Sequence, residues 1–226
     1  MEKLRLAMIG LGSRGRGLLK TAYLEHPLAQ FIAICDKYED RCKECADIVE
    51  QAGFPRPKTT TNYKEILEME DVDAVILCTS WDKHIDICIE AMHKGKAVGC
   101  EVGGAYSLRE CWKIVEAYEE TKVPVMLLEN CVYGRDEMLV SHMKELGLLG
   151  RIVHFDGGYK HDLRGEIAFG KENRHYRLNN YIHRNTENYP THELGPIAKL
   201  LNINKGNRML SLTSVASGSF GLREYI

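Results

Sequence analysis

The segment 4–17, LRLAMIGLGSRGRG, constrains the fold of this chain more than any other. A short apolar run, 6–9, is followed by Gly10, Gly12 and Gly15 at the spacing G-x-G-x-x-G, and then by apolar residues at helical spacing. An apolar run of this length that ends at glycine is typical of a buried strand. The first glycine permits a tight turn, the second lets the backbone approach a pyrophosphate, and the third lets helix and sheet pack closely. The segment therefore predicts a strand, a phosphate-binding turn and a helix.

A second apolar run, 31–35, ends at Asp36, which follows Gly15 by about 20 residues. A carboxylate at this distance, at the tip of the second strand, can accept a hydrogen bond from a ribose 2′-hydroxyl. It would also repel a 2′-phosphate, so the pattern favours NAD over NADP. Lys37 and Arg41 stand close by in the sequence and leave NADP open as an alternative.

Predicted strands and helices alternate from the first strand to about residue 128, and this alternation predicts a parallel, doubly wound sheet. Ligands of such sheets bind beyond the carboxyl ends of the strands. We therefore expect the cofactor to contact residues of the glycine turn and of the strand ends. The predicted cofactor-binding residues are Gly10, Gly12, Ser13, Arg14, Gly15, Asp36, Arg41, Thr79, Trp81, His84, Glu101, Val102 and Asn130.

The predicted fold class is α/β, with an N-terminal Rossmann sheet. We place a dinucleotide-binding domain over 1–149 and a second domain over 150–226. A family resemblance, given below with its residues, implies that this second part is the beginning of a C-terminal α/β open-sheet domain, an incomplete substrate-binding domain. A polar stretch, 159–188, is too long for a plain connection and is expected to be a functional loop. The other elements predicted after the boundary are a strand over 151–156, a helix over 191–202 and a strand over 208–217.

Composition narrows the class of protein. Of the 226 residues, 44% are hydrophobic and 27% charged, with a formal net charge of −2 and no long apolar run. These values are ordinary for a soluble globular protein and argue against nucleic acid or a membrane as partner. No signal-peptide pattern precedes the first strand. Several of the eight cysteines lie in predicted buried strands, so we expect a reducing, cytoplasmic location.

The sequence also contains a C-x-x-C pair, Cys42 and Cys45. A redox pair of this kind belongs at the start of a helix after a strand, whereas this one lies inside a predicted helix. We expect one partly buried and one exposed structural thiol.

The glycine turn, Asp36, Thr79 with His84, and Glu101 resemble the glucose–fructose oxidoreductase/inositol dehydrogenase/MocA superfamily. In that superfamily a Rossmann domain precedes an open-sheet domain, which covers the nicotinamide and binds a sugar-like substrate. Longer segments are similar to glycoside hydrolase family 109, whose members are NAD-dependent α-N-acetylgalactosaminidases. These segments are 129–135, 157–164, 189–192, 194–196 and 202–208. The resemblance covers essentially the whole chain and implies NAD as cofactor and a sugar or glycoside as substrate.

Departures from the superfamily pattern favour the hydrolase branch. The dehydrogenases of the superfamily carry a lysine at the position after Glu101, where this chain has Val102. They also carry an Asp four residues before the catalytic histidine, where this chain has Asn188 before His192. Glu193 departs in the other direction, because a small residue is expected there and an acid would narrow or recharge the pocket.

The family's second domain continues beyond the length of this chain. We therefore expect the second domain to be truncated. The chain should bind NAD through its intact first domain, turn over slowly or not at all, and self-associate or be poorly soluble. A homo-oligomer through the complete C-terminal sheet is the expected assembly.

The resemblance implies transient oxidation of the sugar at C3 by NAD, base removal of the C2 proton, loss of the C1 substituent, addition of water and return of the hydride. It assigns His192 as the base for the 3-hydroxyl, with Tyr133 and Tyr189 as further catalytic residues. For His192 the alternative is a helix-start histidine satisfied by backbone, and for the tyrosines it is packing.

Tyr159, His161 and Arg164 are the expected substrate contacts, with a structural salt bridge as the alternative for Arg164. No metal is expected, because the four histidines between 161 and 192 lack the close pairing of zinc ligands. Two alternatives to the glycosidase remain: a sugar or cyclitol dehydrogenase that releases NADH, and a non-catalytic nucleotide-binding module.

Overall fold

The computed structural model describes residues 3–225, which divide between Leu128 and Glu129 into two compact units. The boundary predicted from the sequence lies at 149/150, so residues 129–149 were assigned to the first domain. In the structure they group with the second unit, because the segment after Glu129 packs against a later helix of that unit. Each unit is described by itself below.

The first unit is a six-stranded parallel sheet, as the alternation predicts, with strand order β3-β2-β1-β4-β5-β6. This order reverses direction between β1 and β4, where doubly wound sheets bind their ligands. The strands are β1 (Leu4–Ile9), β2 (Ala29–Cys35), β3 (Lys58–Thr60), β4 (Ala74–Leu77), β5 (Ala97–Cys100) and β6 (Val125–Leu127). The helices are α1 (Ser13–Leu18, continued by a π-helical turn, Leu19–Tyr23), α2 (Glu39–Gln51), α3 (Tyr63–Leu67), α4 (Trp81–His93) and α5 (Leu108–Thr121).

The central strands of this sheet are buried on both faces, which explains why they are continuous apolar runs rather than alternating ones. On β1, Leu6 and Met8 pack into one core with the buried face of α2, while Ala7 and Ile9 pack into the other with α4. The two cores fix β1 and its carboxyl end, and so they position the glycine turn that follows.

The two cysteines of the C-x-x-C pair both face the core. Cys42 is 2% exposed and Cys45 is fully buried, and burial raises the pKa of Cys45 to about 12. The prediction that one thiol would be exposed is wrong, because residues three apart share one face of a helix. All eight cysteines of the chain are thiols, and this pair is a core element.

The second unit is helical where it has regular structure. Its elements are a 3-10 turn (Asn130–Val132), α6 (Arg135–Glu145), α7 (Arg164–Ala168), α8 (Arg177–His183), α9 (Pro190–Leu200) and α10 (Leu222–Tyr225). The predictions of strands over 151–156 and 208–217 are wrong: within the described part of this unit the only β pairing is a single bridge, Ile203 with Asn207. A strand needs a partner for its backbone groups, and these two segments have none there.

Within residues 3–225, no helix combines the length and the apolar character that a membrane crossing requires.

Candidate functional site

The glycine turn of the first unit leaves backbone donors available at the start of α1. Gly12 is the N-cap residue, no side chain caps the helix, and its first turn contains no acid. A side chain at Gly12 would meet only the Arg41 Nη1 atom, 3.8 Å away, so this side of the turn is open. Uncapped amides at a helix start, together with the helix dipole, favour a bound phosphate.

Asp36 is buried at the end of β2 and holds this turn. Its Oδ2 atom accepts a hydrogen bond of 2.7 Å from the Leu11 amide, and its Oδ1 atom accepts one of 3.0 Å from the Tyr38 amide. The Arg41 guanidinium lies 3.7 Å from Oδ2 and stacks over the Tyr38 ring. The carboxylate thus has a role in the turn besides its expected role toward a ribose.

Arg14 and Glu101 join α1 to the end of β5 by a salt bridge, with 3.0 Å between Nε and Oε2. Glu101 is 8% exposed, whereas the Arg14 side chain is half exposed. The pair connects elements on the two sides of the point where the strand order reverses. Both predicted cofactor residues therefore lie at the ligand-binding edge of the sheet.

The segment after β4 supplies a buried wall at the same edge. His84 is 1% exposed, its Nε2 atom lies 3.1 Å from the Thr79 carbonyl oxygen, and burial lowers its pKa to about 4. Trp81 is buried, and its indole ring fills the space that a Cβ at Gly103 would need. Val102, which precedes Gly103 in the sequence, is also buried. A neutral imidazole and an indole line this edge without adding charge.

The residues of the first unit fit NAD: an open glycine turn with uncapped amides, an acid at the end of β2 and an apolar wall after β4. Of the predicted cofactor residues, Asn130 alone belongs to the second unit, where it is exposed and its amide donates to the Cys131 sulfur at 3.6 Å.

We expect Asp36→Ala to weaken NAD binding and to relax discrimination against NADP. One charge-assisted hydrogen bond to the ribose would be lost, worth about 1.5–3 kcal/mol, and the Leu11 amide would lose its acceptor. Calorimetric titration with both cofactors measures the effect. Asp40→Ala, an exposed carboxylate nearby, is the matched control. Unchanged affinity for both cofactors in Asp36→Ala would remove Asp36 from the binding site.

The second unit contains a buried pair of ionisable groups, Glu129 and His192. The Nδ1 atom of His192 lies 2.6 Å from the Glu129 Oε1 atom, and both residues are less than 9% exposed. Glu129 begins the 3-10 turn, and its Oε1 atom also accepts a hydrogen bond of 2.9 Å from the Cys131 amide. His192 lies in the first turn of α9, and its ring is satisfied by a carboxylate rather than by backbone.

Glu129 remains ionised despite its burial. Desolvation alone would raise its pKa, but the nearby Thr191 hydroxyl, the Cys131 amide and His192 outweigh that effect and lower it. The anionic carboxylate therefore accepts the Nδ1 proton of His192, which leaves Nε2 as the proton acceptor of the ring.

Aromatic rings surround this pair. The Tyr189 ring stacks on the His192 ring, with centroids 5.0 Å apart, and the Tyr159 ring meets it edge-on at 4.3 Å. His161 contacts both tyrosines, at 5.1 and 5.8 Å between centroids. Tyr159 is 37% exposed while Tyr189 is 9% exposed, so Tyr159 forms the accessible side of the cluster. Four predicted site residues are thus brought together.

A cationic network supports Tyr189. The Arg177 guanidinium donates to the Tyr189 hydroxyl and, at 2.6 Å, to Glu166, which also lies 2.6 Å from the His175 Nε2 atom. Burial raises the pKa of Tyr189 to about 12, although Arg177 acts in the opposite direction. Tyr189 is therefore a neutral hydroxyl at physiological pH and a hydrogen-bond donor.

Three further residues singled out by the sequence, Tyr133, Arg164 and Glu193, lie outside this aromatic cluster's described contacts. Tyr133 is 57% exposed, with the Lys199 ammonium 4.5 Å from its ring centroid, and its catalytic role stays a prediction. Arg164 is exposed and paired with Asp162 at 2.7 Å, so the structure contains the salt bridge that was its alternative. The Oε2 atom of Glu193 is buried without a hydrogen-bond partner, as is uncommon for a carboxylate.

Sequence reasoning missed Glu129, Arg177 and Glu166 as site residues. Glu129 had a usable signal, because it directly follows the last predicted strand of the Rossmann series. Arg177 and Glu166 lie in a polar segment without periodicity, where nothing in the sequence distinguishes them.

The lowered pKa of Glu129 predicts a pH dependence of stability. Its folded pKa lies below its unfolded value, so the unfolded state binds more protons in that window and stability rises with pH there. The stabilisation is fully present above the ordinary carboxyl pKa and is lost as pH falls through the lowered one.

We expect the difference in free energy of unfolding between the protein and Glu129→Gln to shrink as the solution is acidified below about pH 4.3. Urea titrations at several pH values measure it, with the exposed Glu172→Gln as control. A difference that does not vary with pH would contradict the lowered pKa of the buried Glu129 carboxyl.

Comparison with known proteins agrees with this division of the chain. Residues 4–128 match the oxidoreductase family with an NAD-binding Rossmann fold. The chain belongs to this family. Residues 133–226 match the C-terminal domain of glycosyl hydrolase 109, which is the second family that the sequence resembles.

Among curated relatives, a glycosyl hydrolase family 109 protein from Stenotrophomonas maltophilia is 38% identical over 99% of this chain and 54% of its own length. An alpha-N-acetylgalactosaminidase from Bacteroides fragilis is 37% identical over 100% of this chain and 54% of its own. The chain thus spans about half the length of these relatives. Among solved structures, a probable dehydrogenase from Thermotoga maritima is 27% identical, with a TM-score of 0.58 over 65% of this chain and 42% of that one.

Proposed function

We propose that this chain carries the machinery of an NAD-dependent glycosidase of the alpha-N-acetylgalactosaminidase type. The observation that carries the proposal is the buried hydrogen bond between Glu129 and His192 beneath a cluster of aromatic rings. A histidine oriented in this way by an anionic carboxylate is suited to general-base catalysis near neutral pH.

In the proposed reaction, the Nε2 atom of His192 accepts the proton of a sugar hydroxyl. Glu129 holds the Nδ1 proton in place and stabilises the imidazolium that forms, as the carboxylate of a catalytic triad does. Because Glu129 is buried and ionised, its interaction with the imidazolium is stronger than it would be in water.

Tyr189 serves as a donor and not as a base, since its hydroxyl is neutral at physiological pH. Arg177 fixes that hydroxyl and is itself fixed by Glu166. The half-exposed Tyr159 ring offers an apolar face for the sugar ring, and His161 beside it offers a polar contact. We retain Tyr159 and His161 as substrate-binding residues on this basis.

Gly12 and the start of α1 would hold the pyrophosphate of NAD, and Asp36 the ribose, for the reasons of fit given above. When bound, NAD supplies a reversible hydride acceptor. The reaction then does not need the pair of carboxylates that most glycosidases use.

Substrate, assembly and location belong to the same proposal. The curated relative from Bacteroides fragilis bears the name of an alpha-N-acetylgalactosaminidase, which favours an N-acetylgalactosaminide as substrate class. A homo-oligomer and a cytoplasmic location stay predictions, the latter consistent with eight thiols and no disulfide among the described residues.

A sugar dehydrogenase is the second candidate, favoured by the dehydrogenase name of the similar Thermotoga maritima structure. Against it, the position after Glu101 holds Val102, an apolar and buried residue that cannot transfer a proton.

The two functions separate in one assay. The chain is incubated for long periods with NAD⁺ and a panel of nitrophenyl glycosides, while aglycone and NADH are followed together. The proposal predicts aglycone release that requires NAD⁺, without accumulation of NADH. Stoichiometric NADH without aglycone would establish the dehydrogenase instead. If neither aglycone nor NADH is formed, catalysis by this chain is contradicted.

A further inference from the structure

We propose that Glu129, Cys131 and His192 form a binding site for a transition-metal ion of the Zn²⁺ class. Each residue offers one donor atom (a carboxylate oxygen, the thiol sulfur and a ring nitrogen), and these three atoms lie within 4.8 Å of one another. The prediction of no metal rests on the spacing of the histidines between 161 and 192, whereas Glu129 and Cys131 lie outside that segment.

Local backbone geometry brings two of the ligands together. Glu129 and Cys131 flank one residue of the 3-10 turn, and the Cys131 amide donates to the Glu129 Oε1 atom at 2.9 Å. His192 joins them from α9 through its 2.6 Å contact with the same oxygen. The three donors come from two separate elements of one compact unit, the 3-10 turn and α9. Their positions are therefore set by the fold of that unit.

The carboxylate has unused capacity to bind. Glu129 is 7% exposed, and its Oε2 atom is buried without a hydrogen-bond partner. The Thr191 hydroxyl interacts with this carboxylate and lowers its pKa, but its buried oxygen completes no hydrogen bond of ordinary geometry. A buried oxygen without a partner is costly, and a bound cation would satisfy it. Cys131 is only half-buried, so an ion can reach the site from solvent.

The donor set selects the metal. Thiolate and imidazole ligands favour Zn²⁺ and similar ions over Mg²⁺ or Ca²⁺, which prefer all-oxygen sites. Bond lengths of about 2.0–2.3 Å place the ligands of a tetrahedral zinc roughly 3.3–3.6 Å apart. The donor atoms lie within 4.8 Å of one another, so the longest separation would have to shorten by about 1 Å on binding. Three protein ligands leave a fourth position open for water.

Metal binding would replace the proton shared by Glu129 and His192. With the metal on Nδ1, the neutral ring carries its proton on Nε2, which can then no longer accept one, so zinc is expected to inhibit the enzyme by blocking its base. This consequence rests on the proposed function, whereas metal binding itself does not.

The test uses Co²⁺, a spectroscopic substitute for zinc, added to the reduced 226-residue chain under anaerobic conditions. We expect one equivalent to bind with a thiolate-to-cobalt charge-transfer band, and Zn²⁺ to displace it. Cys131→Ser should lose the band and bind Co²⁺ at least about tenfold more weakly. Cys111→Ser removes an exposed thiol of the first unit and should behave as the unaltered protein. Far-ultraviolet circular dichroism verifies that each variant is folded.

The band and its loss in Cys131→Ser would support the site even if no glycosidase activity is found. A charge-transfer band that survives in Cys131→Ser would assign the metal to other thiols, such as Cys42 and Cys45, and overturn the proposal. Absence of any cobalt complex at millimolar metal would overturn it as well.

Discussion

His192→Asn is expected to reduce glycoside cleavage by roughly 10²–10⁴-fold, the usual contribution of a general base. Asparagine keeps a polar side chain of similar reach but cannot accept and hold a proton. The loss should fall on turnover and not on NAD binding, because the cofactor residues other than Asn130 lie in the first unit. Rates of aglycone release and calorimetric titration with NAD separate the two effects.

His142→Asn is the control for this variant, since His142 lies exposed on α6. It should cleave at the rate of the unaltered protein. Equal rates in His192→Asn and His142→Asn would remove His192 from the reaction, and an equal loss in both would point to a general effect on folding.

Gly10→Ala is expected to destabilise the first unit by about 2–6 kcal/mol and to abolish NAD binding. The φ of Gly10 is +98°, a conformation that costs an L-residue about 1–3 kcal/mol. A Cβ there would also collide with the Cys78 backbone, at the end of the neighbouring strand, and overpacking adds about 1–3 kcal/mol. The turn would have to move away from β4 to accommodate the methyl group.

Gly53→Ala separates these two causes. Gly53 also has a positive φ, +86°, but a Cβ there meets nothing within 4 Å. It should show the backbone strain alone, with NAD affinity unchanged. Urea denaturation and calorimetry measure both variants. Equal destabilisation of the two would mean that the contact with Cys78 has no energetic weight.

The Rossmann unit could be predicted from the sequence because its signals are local. The glycine spacing, the apolar run before it and Asp36 lie within a stretch of about 35 residues, and each has one physical reason. The parallel arrangement of the sheet follows from the alternation of strands and helices. The C-x-x-C pair lies inside a helix, Glu39–Gln51, as the sequence predicts.

The buried pair of Glu129 and His192 could not be predicted in the same way. Glu129 and His192 are 63 residues apart, with an aperiodic segment between them, and no spacing rule connects them. The motif around His192 marked the histidine, but the residue four before it, Asn188, cannot supply the acid. The structure shows that the acid comes from the end of the strand series instead, a contact that only tertiary packing creates.

The failed strands have a different cause. The stretch around Leu210 has the composition of a strand, but β structure requires a partner as well as a propensity. Leu210, Leu212 and Val215 are each more than 80% exposed, so this segment has neither a backbone partner nor a packed face among the described residues.

In the proposed reaction, the sugar is oxidised transiently and loses its C2 proton before the glycosidic bond breaks. Cleavage of a nitrophenyl α-N-acetylgalactosaminide in D₂O, followed by NMR or mass spectrometry of the released sugar, tests this directly. We expect one deuterium at C2 of the product, only when NAD⁺ is present, because the carbon is reprotonated from the solvent. Aglycone release without deuterium at C2 would contradict it.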